Sequence, residues 1–139
     1  GLGDVYKRQL EIGRRLADEG YLVFCGGGAG VMEAIAKGVH DEGGIVVGVL
    51  KGQDLEEGNK YLTVPIATGI GIARNAILAY NCDAAIAISG QYGTLSEIAY
   101  AFQLKKPVIG YKTWDIDPVI QANTPEEVVS KLNKELNHV

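Results

Sequence analysis

The sequence predicts an α/β fold: a doubly wound, mostly parallel sheet with helices on both faces. Three observations carry this. Short apolar runs, several rich in β-branched residues, alternate with segments whose apolar residues recur at helical spacing. Glycine, 19 of 139 residues, clusters where those runs end. Two clusters, Gly26-Gly27-Gly28-Ala29-Gly30 and Ser89-Gly90-Gln91-Tyr92-Gly93-Thr94, each lie between a predicted strand and a predicted helix, where such sheets hold their ligands.

A first helix is expected from about Asp4 to Glu19, stopped by Gly20. Tyr21–Cys25 reads as a strand. The helix from about Val31 to Asp41 carries Val31, Ala34, Ile35, Gly38 and Val39 on one face, and Gly43-Gly44 ends it. Ile45–Leu50 is a continuous apolar run, as in a strand covered on both faces. Residues 51–63 form a polar loop, and Val64–Ala67 is a short extended piece. A helix follows from about Ile70 to Asn81, then a strand at Ala84–Ile88. In the next helix Leu95, Ile98, Ala99 and Phe102 are expected to face the core. Pro107–Gly110 is another strand and Val119–Ala122 an edge strand, since Pro118 is tolerated at a strand start. Asn123 or Thr124 caps a last helix with Pro125 in its first position. A doubly wound sheet normally opens with a central strand, whereas this chain enters a helix almost at once. The first central strand is expected to be missing or truncated, and residues 1–9 to be a non-native leader.

The length fits one domain over residues 1–139, large enough to bury a core without staples. A net charge of −4 argues against a general nucleic-acid surface. Cys25 and Cys82 each end an apolar segment and read as reduced core thiols. Two histidines and two separated cysteines make no metal site, and no cofactor is expected. No apolar run approaches the ~18 residues of a membrane span, so the expected setting is cytoplasmic. His40, at a helix end, reads as a partner of the helix dipole.

The first glycine loop is neither a dinucleotide fingerprint, which would need glycine at Val31 or Glu33, nor a Walker A loop. Four glycines in five residues exceed what a tight turn requires and let a ligand approach the backbone. In the second loop Gly90 and Gly93 free the backbone. Thr94 reads as a helix N-cap that also offers its hydroxyl to an anion at the helix N-terminus. Glu97 is open to two readings: an exposed partner of Thr94 in a capping box, or a carboxylate of the site. Arg74, at the flank of an apolar face formed by Ile70, Ala73 and Ile77, wants a carboxylate or phosphate partner. That partner is either a structural ion pair or a ligand.

Together these residues resemble the Rossmann-like SLOG superfamily, once mislabelled lysine decarboxylases, which includes the Lonely Guy cytokinin-activating enzymes. The family motif P-G-G-x-G-T-x-x-E corresponds to Ser89–Glu97, the family arginine to Arg74, and a G-G-G-x-x-G-type loop to Gly26–Gly30. The resemblance covers about residues 10–137 and is closer to the branch related to the DNA-processing protein DprA than to the plant enzymes. Ser89 and Gln91 stand where the family has proline and glycine, and Gly71-Ile72-Ala73-Arg74-Asn75 replaces M-H-E-R-K.

The resemblance implies a nucleoside 5′-monophosphate phosphoribohydrolase, not a lysine decarboxylase. Glu97 and Arg74 would be its catalytic residues. Ser89, Gly90, Gln91, Tyr92, Gly93 and Thr94 would hold the phosphate, and Gly26, Gly27, Gly28 and Gly30 would form a wall for the sugar or a second subsite. The alternative is a non-catalytic carrier of a nucleotide or phosphate-bearing cofactor, as in molybdenum-cofactor carriers. The expected partners are a phosphate-bearing small molecule and further copies of the chain, with Tyr80, Tyr92 and Tyr100 as candidates for the contact between copies. Nucleic acid and membrane are not expected partners.

Overall fold

The computed structural model describes residues 1–138. Along them run α1 (Leu2–Asp18), β1 (Val23–Cys25), α2 (Val31–Asp41), β2 (Val46–Leu50), β3 (Val64–Ala67) and α3 (Arg74–Asn81). They continue with β4 (Ala85–Ile88), α4 (Tyr92–Gln103), β5 (Val108–Tyr111), β6 (Ile120–Ala122) and α5 (Pro125–Leu136). Short 3-10 turns occupy Leu55–Glu57 and Gly71–Ala73. The chain divides into two compact units, Gly1–Arg74 and Asn75–Val139. Each carries a three-stranded sheet, ordered β1-β2-β3 and β4-β5-β6, and every pairing is parallel. The parallel α/β architecture is the expected one, but its strands pair in two sheets rather than one. Among the described residues no strand precedes α1; β1 pairs with β2 and β4 with β5.

In the first unit β2 is the central strand and is buried along its whole length, as its continuous apolar run requires. β3 lies at the edge, where Val64 and Ile66 are exposed and Pro65 costs no internal ladder bond. α1 and α2 pack on each other, and the two helices bury Ile12, Leu16, Ile35 and Val39. Each such side chain contributes about 1.5–3 kcal/mol by leaving water. Their backbones meet at Gly13 and Gly38: a methyl group on Gly38 would run into the Leu10 carbonyl, and one on Gly13 into the Ile35 carbonyl.

In the second unit β5 is central and fully buried. One face packs Val108 with Ala87, Ile98 and Ala101, flanked by Phe102, Trp114 and Val119. The inner face of α4 therefore runs through Ala101, and Ala99 is exposed. The apolar pattern of α4 is too uniform to choose between Ala99 and Ala101. α5 starts as expected: Thr124 is the cap, its hydroxyl accepting from the Glu127 amide at 3.1 Å, and Pro125 follows. Its buried residues are Val128, Val129 and Leu132, and it packs on β5 and β6.

Candidate functional site

The first glycine loop leaves the carboxyl end of β1, and its carbonyls are held from behind. Arg74 Nη1 donates to Gly26 O and to Val49 O, both at 2.6 Å. The Asn59 amide donates to Gly27 O at 2.8 Å, and Asn59 Nδ2 reaches Gly28 O at 3.0 Å. In a planar trans peptide the carbonyl and the following N–H point in opposite directions. The amides of Gly27, Gly28 and Ala29 therefore turn away from Arg74 and Asn59. Most of the loop's glycines are explained by the unit's own packing. A methyl on Gly26 would overlap the Arg74 guanidinium and Met32, and one on Gly27 would overlap Leu50. Gly30, the N-cap of α2, has φ +71°, a conformation side chains disfavour.

Arg74 departs from its expected place at the edge of an apolar face. It is 7% exposed and Asn75 5%, whereas Ile70 and Ile72 are 49% and 78% exposed and Ala73 is exposed. The segment enters through a 3-10 turn, whose three-residue period shifts every position. The two carbonyls then reward an inward guanidinium. The sequence does not single out Asn59 as the residue that holds this loop. Its Asx turn, Oδ1 accepting from the Tyr61 amide at 3.0 Å, is a local signal, but nothing local reveals the glycine carbonyls it holds.

The second loop has the same construction from different parts. Ser89, at the end of β4, has φ +76°, an uncommon left-handed backbone for a side-chain-bearing residue. Its carbonyl accepts from Thr113 Oγ1 at 2.5 Å. The Gln91 carbonyl accepts from Trp114 Nε1 at 3.2 Å and starts α4 by accepting from the Leu95 amide at 3.1 Å. The amides of Gly90 and Tyr92 consequently face away from the β5–β6 connection. Those of Tyr92, Gly93 and Thr94 belong to the helix's first turn, where no intrahelical acceptor exists. A methyl on Gly90 or Gly93 would meet nothing within 4 Å, and neither φ is positive. Their lack of a side chain is thus not demanded by the unit's own packing.

Thr94 is not the N-cap. Gln91 occupies that position, and Thr94 sits inside the first turn with its hydroxyl donating to Ile88 O at 3.3 Å. A bond back to the strand end holds the hydroxyl where a cap would have bonded forward. The capping-box reading of Glu97 falls with it; Glu97 is half-buried on α4. Tyr92 is 82% exposed and stacks on Trp114, centroids 6.3 Å apart. Tyr80 and Tyr100 are exposed too.

Elsewhere, Cys25 and Cys82 are both half-buried, and burial pushes the Cys82 thiol up against the opposing pull of Lys106. His40 is an exposed neighbour of Asp41 and Tyr61 at the end of α2. Asp41 accepts from Lys37 Nζ at 2.8 Å, and that bond holds its carboxyl below the ordinary value. Among the described residues no group of His, Cys, Asp and Glu is arranged to hold a metal, and no helix is long and apolar enough to cross a membrane.

The chain is 38% identical over 135 residues to a protein of Archaeoglobus fulgidus, covering 91% of this chain and 84% of that one. It is 38% identical over 92 residues to the probable cytokinin riboside 5′-monophosphate phosphoribohydrolase LOGL5 of Oryza sativa subsp. japonica. That match covers 64% of this chain and only 37% of the rice protein. Among solved structures, the molybdenum cofactor carrier protein of Chlamydomonas reinhardtii superposes with a TM-score of 0.88 at 29% identity, over 97% of this chain and 89% of that one. A model of the SLOG cluster4 family matches residues 3–138. With the parallel α/β architecture and the glycine turn after β4, this places the chain in the SLOG cluster4 family.

Proposed function

We propose that the protein binds a nucleoside 5′-monophosphate with its phosphate on the backbone of Gly90–Thr94, and hydrolyses the N-glycosidic bond. The observation that carries this is the second loop: carbonyls tied back, amides turned outward, and two glycines beside open space. An anion is the natural occupant of such a helix N-terminus. The chemistry breaks the bond between C1′ and the base as a water oxygen bonds to C1′. The base leaves with a proton, and ribose 5-phosphate is the other product. Positive charge builds on the sugar in between, and Glu97 is the carboxylate assigned to stabilise it and to orient the water. Arg74 enters this reading as the brace of the Gly26–Gly30 loop. Self-association, with Tyr80, Tyr92 and Tyr100 on the contact surface, is part of the same proposal.

A second reading, a carrier of a phosphate-bearing cofactor, is favoured by coverage. The cofactor carrier superposes over 97% of this chain. Incubation with AMP, GMP and CMP, with free base and ribose 5-phosphate quantified, separates the two. Hydrolysis predicts release that falls about 100-fold or more in Glu97→Gln. Carriage predicts thermal stabilisation by ligand with no release. Equal release by the wild type and Glu97→Gln would remove Glu97 from the chemistry.

A further inference from the structure

We infer that the connection between β5 and β6 is a strap that sets the direction of the phosphate-binding amides, with Thr113 and Trp114 as its positioning residues. This rests on the proposal that the Gly90–Thr94 backbone holds a phosphate. The strap reaches the loop at alternate peptides. Thr113 Oγ1 takes the Ser89 carbonyl and Trp114 Nε1 the Gln91 carbonyl. Each bond fixes the plane of one peptide, and with it the direction of the next amide, Gly90 or Tyr92. Neither side chain presents a donor of its own to the ligand; both act through the turn.

The strap is itself anchored. Gln121 Nε2 on β6 donates to the Trp114 carbonyl at 3.1 Å. It also lies flat on β5 because residue 110 is glycine: a methyl there would strike Val119 Cγ1 at 2.6 Å and Thr113 Cγ2 at 2.8 Å. Trp114 packs against the core cluster of Ala87, Ile98, Ala101 and Val108, so the indole N–H is aimed from a supported position. Amide direction matters because a phosphate is held by several N–H groups at once, and small errors in aim cost affinity in each.

The test compares wild type with Thr113→Val, Thr113→Ser and Trp114→Phe by calorimetric titration with AMP and with inorganic phosphate. The Gly90, Tyr92 and Gly93 amides are followed by ¹H–¹⁵N NMR, and the ligand-free melting temperature is recorded. Thr113→Val keeps shape and removes the hydroxyl, and Trp114→Phe keeps the stack on Tyr92 and removes the N–H. Each is expected to shift those three amides in the free protein and to weaken binding about tenfold. Thr113→Ser is expected to bind as wild type does, which a merely space-filling role for Thr113 would not predict. Variants that bind like wild type, or a serine variant as weak as the valine one, would overturn the strap and leave the phosphate reading standing. A wild type that binds neither probe would remove the phosphate reading and the strap with it.

Discussion

Asn59 Nδ2 donates to the carbonyl oxygen of Gly28 over 3.0 Å, spanning 31 residues of sequence. With its own amide on Gly27 O, this one residue ties the polar loop after β2 to the glycine loop after β1. Asn59→Ala leaves the half-buried Gly28 carbonyl without its side-chain donor, while the backbone amide of residue 59 still serves Gly27 O, and is expected to cost about 1–3 kcal/mol in urea unfolding. Asn59→Asp should cost more, because a carboxylate would then face two carbonyl oxygens. Full stability in Asn59→Asp would contradict the bonding described.

Arg74 is expected to matter first for folding. Its guanidinium satisfies Gly26 O and Val49 O in a buried setting. Arg74→Met should lower stability by about 2–4 kcal/mol, with Arg74→Lys intermediate. An activity loss in an Arg74 variant therefore says little about chemistry until thermal denaturation shows the variant folded at the assay temperature.

Glycine-to-alanine substitutions should sort the two loops. Gly26→Ala has no room beside Arg74 and Met32 and should destabilise by about 1–3 kcal/mol. Gly93→Ala enters open space in the first turn of α4 and is expected to stabilise by about 0.4–1 kcal/mol, while weakening AMP binding. Paired melting and titration curves read both effects.

The crossing of α1 and α2 tolerates no side chain at Gly38. Gly38→Ala places a methyl against the Leu10 carbonyl and the Arg14 amide. A loss of about 1–3 kcal/mol is expected from the helices moving apart, measured by chemical denaturation.

Asp41 supplies a pH dependence of known sign. The bond from Lys37 depresses its folded value. Its stabilising contribution is therefore present above the ordinary carboxylate value, ~3.9, and is lost as pH falls through the depressed one. Asp41→Asn should flatten this limb of a melting-temperature profile recorded from about pH 5 to pH 2. The change should be small, because the pair lies at the surface.

What was legible in the sequence was what periodicity controls. The bounds of α2, Val31–Asp41, and the burial of β2 both follow from apolar spacing. The position of each glycine cluster between strand and helix was equally plain. What was not legible depends on partners far along the chain. Thr113 and Trp114 meet the second loop across 24 and 23 residues, and Asn59 meets the first across 31. Their chemistry as isolated residues marks them as ordinary loop polar groups. Thr94 shows a local preference losing to a tertiary one. A threonine before a helical pattern favours a cap, but the Ile88 carbonyl claims its hydroxyl one turn further in. The burial of Arg74 and Asn75 beside the exposed Ile70 and Ile72 inverts the usual ordering, and the Gly26 and Val49 carbonyls that the arginine serves lie far along the chain.

Trp114 is the sole tryptophan in the 139 residues. Its indole is hydrogen-bonded to Gln91 and stacked on Tyr92, so the whole tryptophan emission of the protein originates beside one turn. The molecule thus carries a built-in optical gauge of that turn. A ligand or substitution that moves Ser89–Thr94 should change emission wavelength or quenching without any added label.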